Sequence, residues 1–435
     1  MTDVSTSPTE DVEQGRRSVG AFLRDNEIDT RLLGMLVALL VTWIGFHYLS
    51  GGTFLTARNL WNLSVQTASV AIMATGMVLV IVTRNIDLSV GSLMGFVGIA
   101  MALAQAEWLP SVIGFDHPAT WILAVLFGLA LGALVGGFQG VIIAYVGVPS
   151  FIVTLGGLLV WRGVAWWLNQ GQTIAPMDTN FQLLGGGSRG AIGDTWSWIF
   201  GFVACVAVVL VLLNGRRQRR RFGFKLRPWW ADLVLGILSC GVILGAVWVL
   251  NSYFLPEVVA REIAETQGIA WPPGGLEISR GIAIPVLIAL GVALIMTFVA
   301  TRRRFGRYVF AIGGNPEAAE LGGINTKRTV VKTFAVMGLL VGVAAAVSLA
   351  RANAGHVGMG TLSELYVIAA AVIGGTSLAG GIGTIPGAVL GALVMQSLQS
   401  GMVLMGVDAP LQDIVVGIVL VAAVAVDSIY RRRAE

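Results

Sequence analysis

Twelve long apolar runs, separated by polar or glycine-rich segments, divide the 435 residues. They fall at 32–50, 61–83, 88–106, 119–146, 150–169, 196–214, 230–252, 281–300, 333–350, 362–380, 384–404 and 412–430. Crossing a bilayer takes about 20 mainly apolar residues in a helix. The runs are continuous and do not alternate, so the pattern predicts helices, because lipid offers no partner to an open backbone. Two places break the pattern: 88–106 starts just after a polar turn at 84–88, and glycines interrupt 370–383. Both are read as candidates for broken or re-entrant helices. The expected fold class is therefore an all-α polytopic membrane protein with 10–12 transmembrane helices. Residues 1–31 are expected to form a polar tail, 32–430 the membrane domain and 431–435 a basic tail. The N-terminal stretch has no apolar core followed by a small-residue cleavage site, so no signal peptide is expected.

Charge turns these runs into a topology. Only 12% of residues are charged and 56% are hydrophobic, against about 25% charged in ordinary soluble domains. A soluble enzyme, a disordered hub and a disulfide-stapled secreted fold are excluded. With the N-terminus placed in the cytoplasm, 22 of the 28 Lys and Arg residues fall on the cytoplasmic side. Five (Arg58, Arg189, Arg261, Arg280 and Arg351) fall outside, and Arg162 falls within a span. That bias is the positive-inside pattern. It predicts both termini inside and removes any need for a nucleic-acid partner to explain the net charge of +4. Trp61, Trp108, Trp166, Trp167, Trp196, Trp229 and Trp230 lie near proposed span ends, as an interfacial belt would. Cys205 and Cys240 sit in apolar runs and are read as packing residues.

Four polar or glycine-rich features stand apart from the spans. In TRNIDLSVGS (83–92), Asp87 is accompanied by Asn85, Ser89 and Ser92. Asp87 is read as the cap of the helix over 88–106, paired with Arg84, or as part of a break lining a solute path; the two are compatible. In 310–324, Asn315 is a good cap and Pro316 suits a first helical position. Glu317 and Glu320 favour the helix start and Gly322-Gly323 end it. This two-turn element is either an ordinary structured loop or a plug for a groove on another protein. In 146–168, Ser150 and Thr154 share one helix face, and Arg162 must meet a partner, carbonyls or water, or reach the interface. In 374–393, Gly383, Gly387 and Gly391 recur every fourth residue, a spacing for close helix packing.

Hydrophilic segments at 170–195 and 251–280 are expected outside, and 301–332 is expected as the main cytoplasmic loop. Repeated GALV at 132–135 and 391–394 hints at two related halves. No Lys follows a Gly, so a Walker A phosphate loop is absent. The His residues are scattered, and no constellation for covalent or metal catalysis appears. The chain is not expected to be an enzyme or to bind a cofactor itself. The rivals are an ion-coupled secondary transporter, which would want ionisable residues deep in several spans, and a membrane enzyme using the outer acids Glu257, Glu262, Glu265 and Glu277.

Four strings together resemble the permease subunits of bacterial ABC sugar importers, the ribose/xylose/arabinose/galactoside group. They are NIDLSVGS (85–92), GVPSFIVTLGGLLVWRG (147–163), RYVFAIGGNPEAAELGGI (307–324) and VIGGTSLAGGIGTIPGAVLGAL (372–393). The resemblance covers about 61–430. It implies a pair of permease chains, two ATP-binding subunits below carrying ATP and Mg, and a periplasmic sugar-binding protein above, in the inner membrane. It implies that Gly313, Gly314, Asn315, Pro316, Glu317, Ala318, Ala319, Glu320 and Gly323 form the coupling segment for the ATPase. The family core has about ten spans. The extra pair within 185–280 looks like the xylose-type permeases, so D-xylose is the expected substrate, with ribose, arabinose or galactose as alternatives. For a neutral sugar, hydroxyl and amide groups are expected along the path: Asn85, Ser89, Ser92, Thr154 and Asn353. Asp87 and Arg162 are the charged candidates beside them.

Overall fold

The computed structural model describes residues 30–432 except 115, 116, 188, 225, 227, 267, 269 and 273, with side chains described over 33–425. The expected tails, beyond Thr30 and Arg31 at one end and Arg431 and Arg432 at the other, lie outside the described residues.

Each apolar stretch contains a helix. α1 spans Thr30–Leu49 and α2 Ala57–Val82. α3 spans Val90–Leu103 and continues through a π turn at Ala104–Trp108 into Leu109–Ile113. α4 spans Thr120–Val141 and α5 Ser150–Asn169. α6 is Gly193–Arg221, α7 Trp229–Asn251, and α8 the short Glu257–Thr266. α9 is Ile284–Arg302, α10 Arg304–Gly314, α11 Pro316–Leu321 and α12 Thr326–Ala352. α13 is Ser363–Ile373, α14 Ile385–Leu404 and α15 Ala409–Arg432. Among the described residues, nine helices are long and apolar enough to cross a membrane, and Leu33–Leu49, Ser363–Ile373 and Ala409–Ala425 are shorter apolar helices.

Three expectations change. The expected span at 362–380 is helical only over Ser363–Ile373. Gly375, Gly380 and Gly381 all take positive φ, which ends the helix and opens the break foreseen at 370–383. Gly383 lies in that break, and only Gly387 and Gly391 sit within α14. The segment 301–332 is more helical than expected: α10 and the first turns of α12 join α11 in occupying most of it.

The core forms around α2 and α12. In α2, 89% of the most apolar window is buried, whereas in α7 the figure is 6%. A helix that is apolar all round and wrapped by protein is a central post; an equally apolar one left uncovered faces lipid. α12 packs on α4 through glycines. A Cβ on Gly338 would lie 2.0 Å from the Gly132 carbonyl oxygen, and one on Gly136 would lie 2.2 Å from that of Phe334. Without water to drive apolar helices together, such backbone approach is a main source of helix association in lipid.

α6 and α7 form the extra hairpin expected within 185–280. The Cys205 Sγ lies 3.9 Å from the Cys240 carbonyl, and the Cys240 Sγ 4.0 Å from that of Cys205, across their packed faces. The segments leading into α6 and out of α7 are fastened to α2. Arg280 lies 4.9 Å from the Trp61 ring centre and 4.5 Å from that of Tyr253, and Trp61 Nε1 donates to Gly281 O at 2.9 Å. On α8, Glu257 pairs with Arg261 at 3.4 Å, and Glu262 pairs with Arg189. The Arg189 guanidinium holds the Glu262 carboxyl below its usual range. Both pairs are exposed, as expected for a solvated acidic face.

Gly338→Leu should force α4 and α12 apart and cost about 1–3 kcal/mol or more from overpacking. Thermal unfolding of the detergent-purified chain should show a clear drop in Tm. Gly417→Leu, where nothing lies within 4 Å of an added Cβ, should leave Tm nearly unchanged.

Candidate functional site

Two interruptions of the helical pattern flank α3: one leads into it and the other packs along it. One is 83–89, between α2 and α3. The other is 353–362, between α12 and α13. The second runs antiparallel to α3. A Cβ on Gly355 would lie 2.8 Å from Ala102 Cβ, one on Gly95 would lie 2.7 Å from Met359 O, and one on Gly91 would lie 2.3 Å from Gly360 O. Gly91 and Gly360 therefore mark a crossing of two backbones at span depth. Open backbone at that depth survives only where protein or a wet path satisfies its polar groups.

The first interruption is stitched to α4 and α5 by the residues expected from the sequence. Asp87, 2% exposed, accepts from Ser89 N at 2.9 Å and from Ser89 Oγ at 2.7 Å. Ser89 Oγ also lies 3.1 Å from Gln139 Oε1 on α4. Thr154 Oγ1 lies 2.9 Å from Ser150 O and 3.2 Å from Ile86 O, and Ile86 N donates to Ser150 Oγ at 3.3 Å. Ser92 Oγ donates to Ser89 O at 2.9 Å. Asn85 turns back, with its Nδ2 3.1 Å from Thr83 O.

The capping expectation is corrected. Ser89, not Asp87, occupies the cap position of α3, and Asp87 forms a local turn with the residue two places on. Asp87 does not pair with Arg84. Arg84 adopts φ +62° and turns away, donating from Nε to Gly313 O at 3.0 Å and from Nη2 to Gly314 O at 2.8 Å.

The second interruption brings in residues the sequence reading missed. Arg162 Nη1 on α5 donates to Thr361 Oγ1 at 2.6 Å. Beside them, Glu364 is buried in the first turn of α13, and its Oε2 has no hydrogen-bond partner among the described residues. Thr361 is exposed on the surface of the chain. Asp87, Ser89, Ser92, Thr154 and Arg162 thus gather around the crossing. Asn353 does not: at φ +51° it ends α12, and its Oδ1 accepts from Met177 N at 2.9 Å, holding the outer segment. The signals for Gln139 and Glu364 were present, since each is the one amide or acid in its apolar stretch.

The segment 313–323 forms the element that its spacing implied. Asn315 Oδ1 accepts from Ala318 N at 3.0 Å and caps α11, and Gly323 leaves the helix at φ +81°. Gly313 is buried under the end of α2, and Ala319 packs inward. Gly314, Asn315, Glu317, Ala318, Glu320 and Gly323 are exposed, with Pro316 half-buried. Leu321, absent from the expected set, is 91% exposed. It is an apolar side chain presented on a polar surface.

The family model described as branched-chain amino acid transport system / permease component matches residues 59–424. The xylose transport system permease protein of Escherichia coli (strain K12) is 37% identical over 430 residues, covering 99% of this chain and 100% of the relative. The corresponding protein of Haemophilus influenzae is 37% identical over 399 residues, covering 92% and 96%. The ribose import permease protein of Escherichia coli (strain K12) is 33% identical over 393 residues, covering 90% and 92%. No solved structure matches. With the motif strings, the apolar helices and a match spanning both interruptions and α11, this chain belongs to the family of transport-system permease components.

Proposed function

We propose that this chain is the membrane-spanning permease of an ATP-driven ABC importer that carries a neutral pentose, D-xylose first, across the bacterial cytoplasmic membrane. The carrying observation is 37% identity to a xylose permease along 99% of the chain, the α6–α7 hairpin included. Both termini lie in the cytoplasm; the placement of 22 of 28 basic residues supports this orientation. Two copies of the chain pair, and two ATP-binding subunits dock beneath them, carrying the ATP and Mg. A periplasmic sugar-binding protein docks above.

Transport proceeds by alternating access. The path runs by the crossing of the 353–362 interruption with the start of α3, at the interface between the two copies. Exposed Thr361 and half-buried Arg162 support this placement, because polar groups at span depth are costly against lipid. Ser89, Ser92, Thr154 and Gln139 offer hydroxyl and amide groups suited to an uncharged polyol. Arg162 meets Thr361, and Glu364 lies buried beside them. α11 seats in a groove of the ATP-binding subunit, with Leu321 as its apolar anchor and Glu317 and Glu320 on the rim. Nucleotide acts on the path only through different affinities for its two states. The 33% identity to a ribose permease favours ribose as the second sugar to try.

In proteoliposomes holding the assembled complex, xylose uptake should require both ATP and the loaded binding protein. Uptake driven by a proton or sodium gradient alone would point to a secondary transporter.

Leu321→Asp should lower copurification of the ATP-binding subunit at least about tenfold while membrane insertion is normal. Asn315→Ala should weaken it by about fivefold through loss of a helix cap worth ~1 kcal/mol, and Asn315→Asp should restore it. Full copurification of the Leu321→Asp variant would remove α11 from the interface.

A further inference from the structure

Arg84 ends α2 in a conformation that an L-residue rarely adopts, at φ +62°. That conformation aims its side chain at the end of α10. The last carbonyls of a helix lack intrahelical donors and carry partial negative charge. Here Gly313 O and Gly314 O meet the guanidinium at 3.0 Å and 2.8 Å, and the next residue, Asn315, caps α11. One side chain therefore closes the end of α10 and fixes where α11 begins.

The same point holds a third segment. Gly381 N donates to Val82 O at 3.0 Å. A Cβ on Gly380 would lie 2.4 Å from Arg84 Cγ, and one on Gly313 would lie 1.9 Å from Val82 O and 2.5 Å from Gly381 N. The end of α2, the α10–α11 junction and the break between α13 and α14 thus converge with no room for slip. Beyond Arg84 the chain enters the 85–89 interruption, which is bonded to α5 through Ile86 and Thr154. Beyond Gly381 and back along the chain lies α13, whose first turn carries Glu364.

We propose that Arg84 is a positioning residue that transmits displacement of α11 to both interrupted helices, and so couples nucleotide-driven motion to opening of the sugar path. This rests on the reading of the chain as an ATP-driven permease. A rigid three-way joint moves its arms together, and the forked guanidinium bonds two carbonyls at once, which an ammonium or amide does not reproduce. Loss of the fork separates α11 from the path while leaving the docking face of α11 in place.

The test compares wild type, Arg84→Gln and Arg84→Lys in the full complex in proteoliposomes, with xylose-loaded binding protein. Arg84→Gln should retain the ATP-binding subunit and keep hydrolysis within about twofold of wild type, but lose at least about tenfold in sugar carried per ATP. Arg84→Lys should recover part of that ratio. An unchanged ratio in Arg84→Gln overturns the proposal. So does a parallel fall of uptake and hydrolysis that follows the amount of folded complex, which would make Arg84 a structural tie only. Hydrogen exchange on the purified chain gives an independent readout. Arg84→Gln should speed exchange at both 313–324 and 377–383, and unchanged exchange at 377–383 overturns the joint. Absence of ATP-driven uptake in wild type would instead count against the importer reading, and the exchange result would still decide whether Arg84 links the segments.

Discussion

Backbone groups that leave a helix inside a membrane must find partners in the protein, and this constraint organises the chain. The interruptions at 83–89 and 353–362 expose carbonyls and amides at span depth. The fold answers by bonding the first to α4 and α5 and packing the second along α3. Asp87 and Ser89 complete the first interruption from within, and Ser150 and Thr154 complete it from α5. Glycine at 91 and 360 lets the two backbones touch. Asp87 and Ser89 are buried there, while Thr361 in the second interruption stays exposed.

Outside that centre the constraint relaxes. α6 and α7 are complete helices and need nothing from the core beyond an anchor, which Arg280 supplies between Trp61 and Tyr253. Desolvated cation–π contacts are worth roughly 2 kcal/mol, enough to hold the outer ends of a hairpin whose apolar faces are otherwise left to lipid. At the other end, α10 and α11 leave the spans without unfolding, because Asn315 caps α11 and Arg84 closes α10.

The spans were legible in the sequence because lipid exacts continuous apolar runs. α11 was legible because caps, proline and glycine are local signals, so Asn315 and Gly323 do what their spacing implied. Asp87 neither caps α3 nor pairs with Arg84: Ser89, two residues on, takes its carboxylate, and the backbone direction at Arg84 carries that side chain elsewhere. Asn353 is polar near a span end, and its amide holds Met177, 176 positions away in sequence, a contact that local pattern does not announce. The 353–362 interruption was missed because no charge or proline marks it, and Glu364 just after it was the signal available. Contacts between distant segments, such as Gly91 with Gly360, leave no trace in local pattern.

The most direct measurement is side-specific thiol labelling at the crossing. With Cys205 and Cys240 replaced by Ser, Thr361→Cys in the reconstituted complex would be exposed to an impermeant maleimide from either side. The account predicts labelling from one side without nucleotide, labelling from the other side when ATP is trapped, and protection by xylose. Equal labelling from one side in both states, with no effect of sugar, would contradict it.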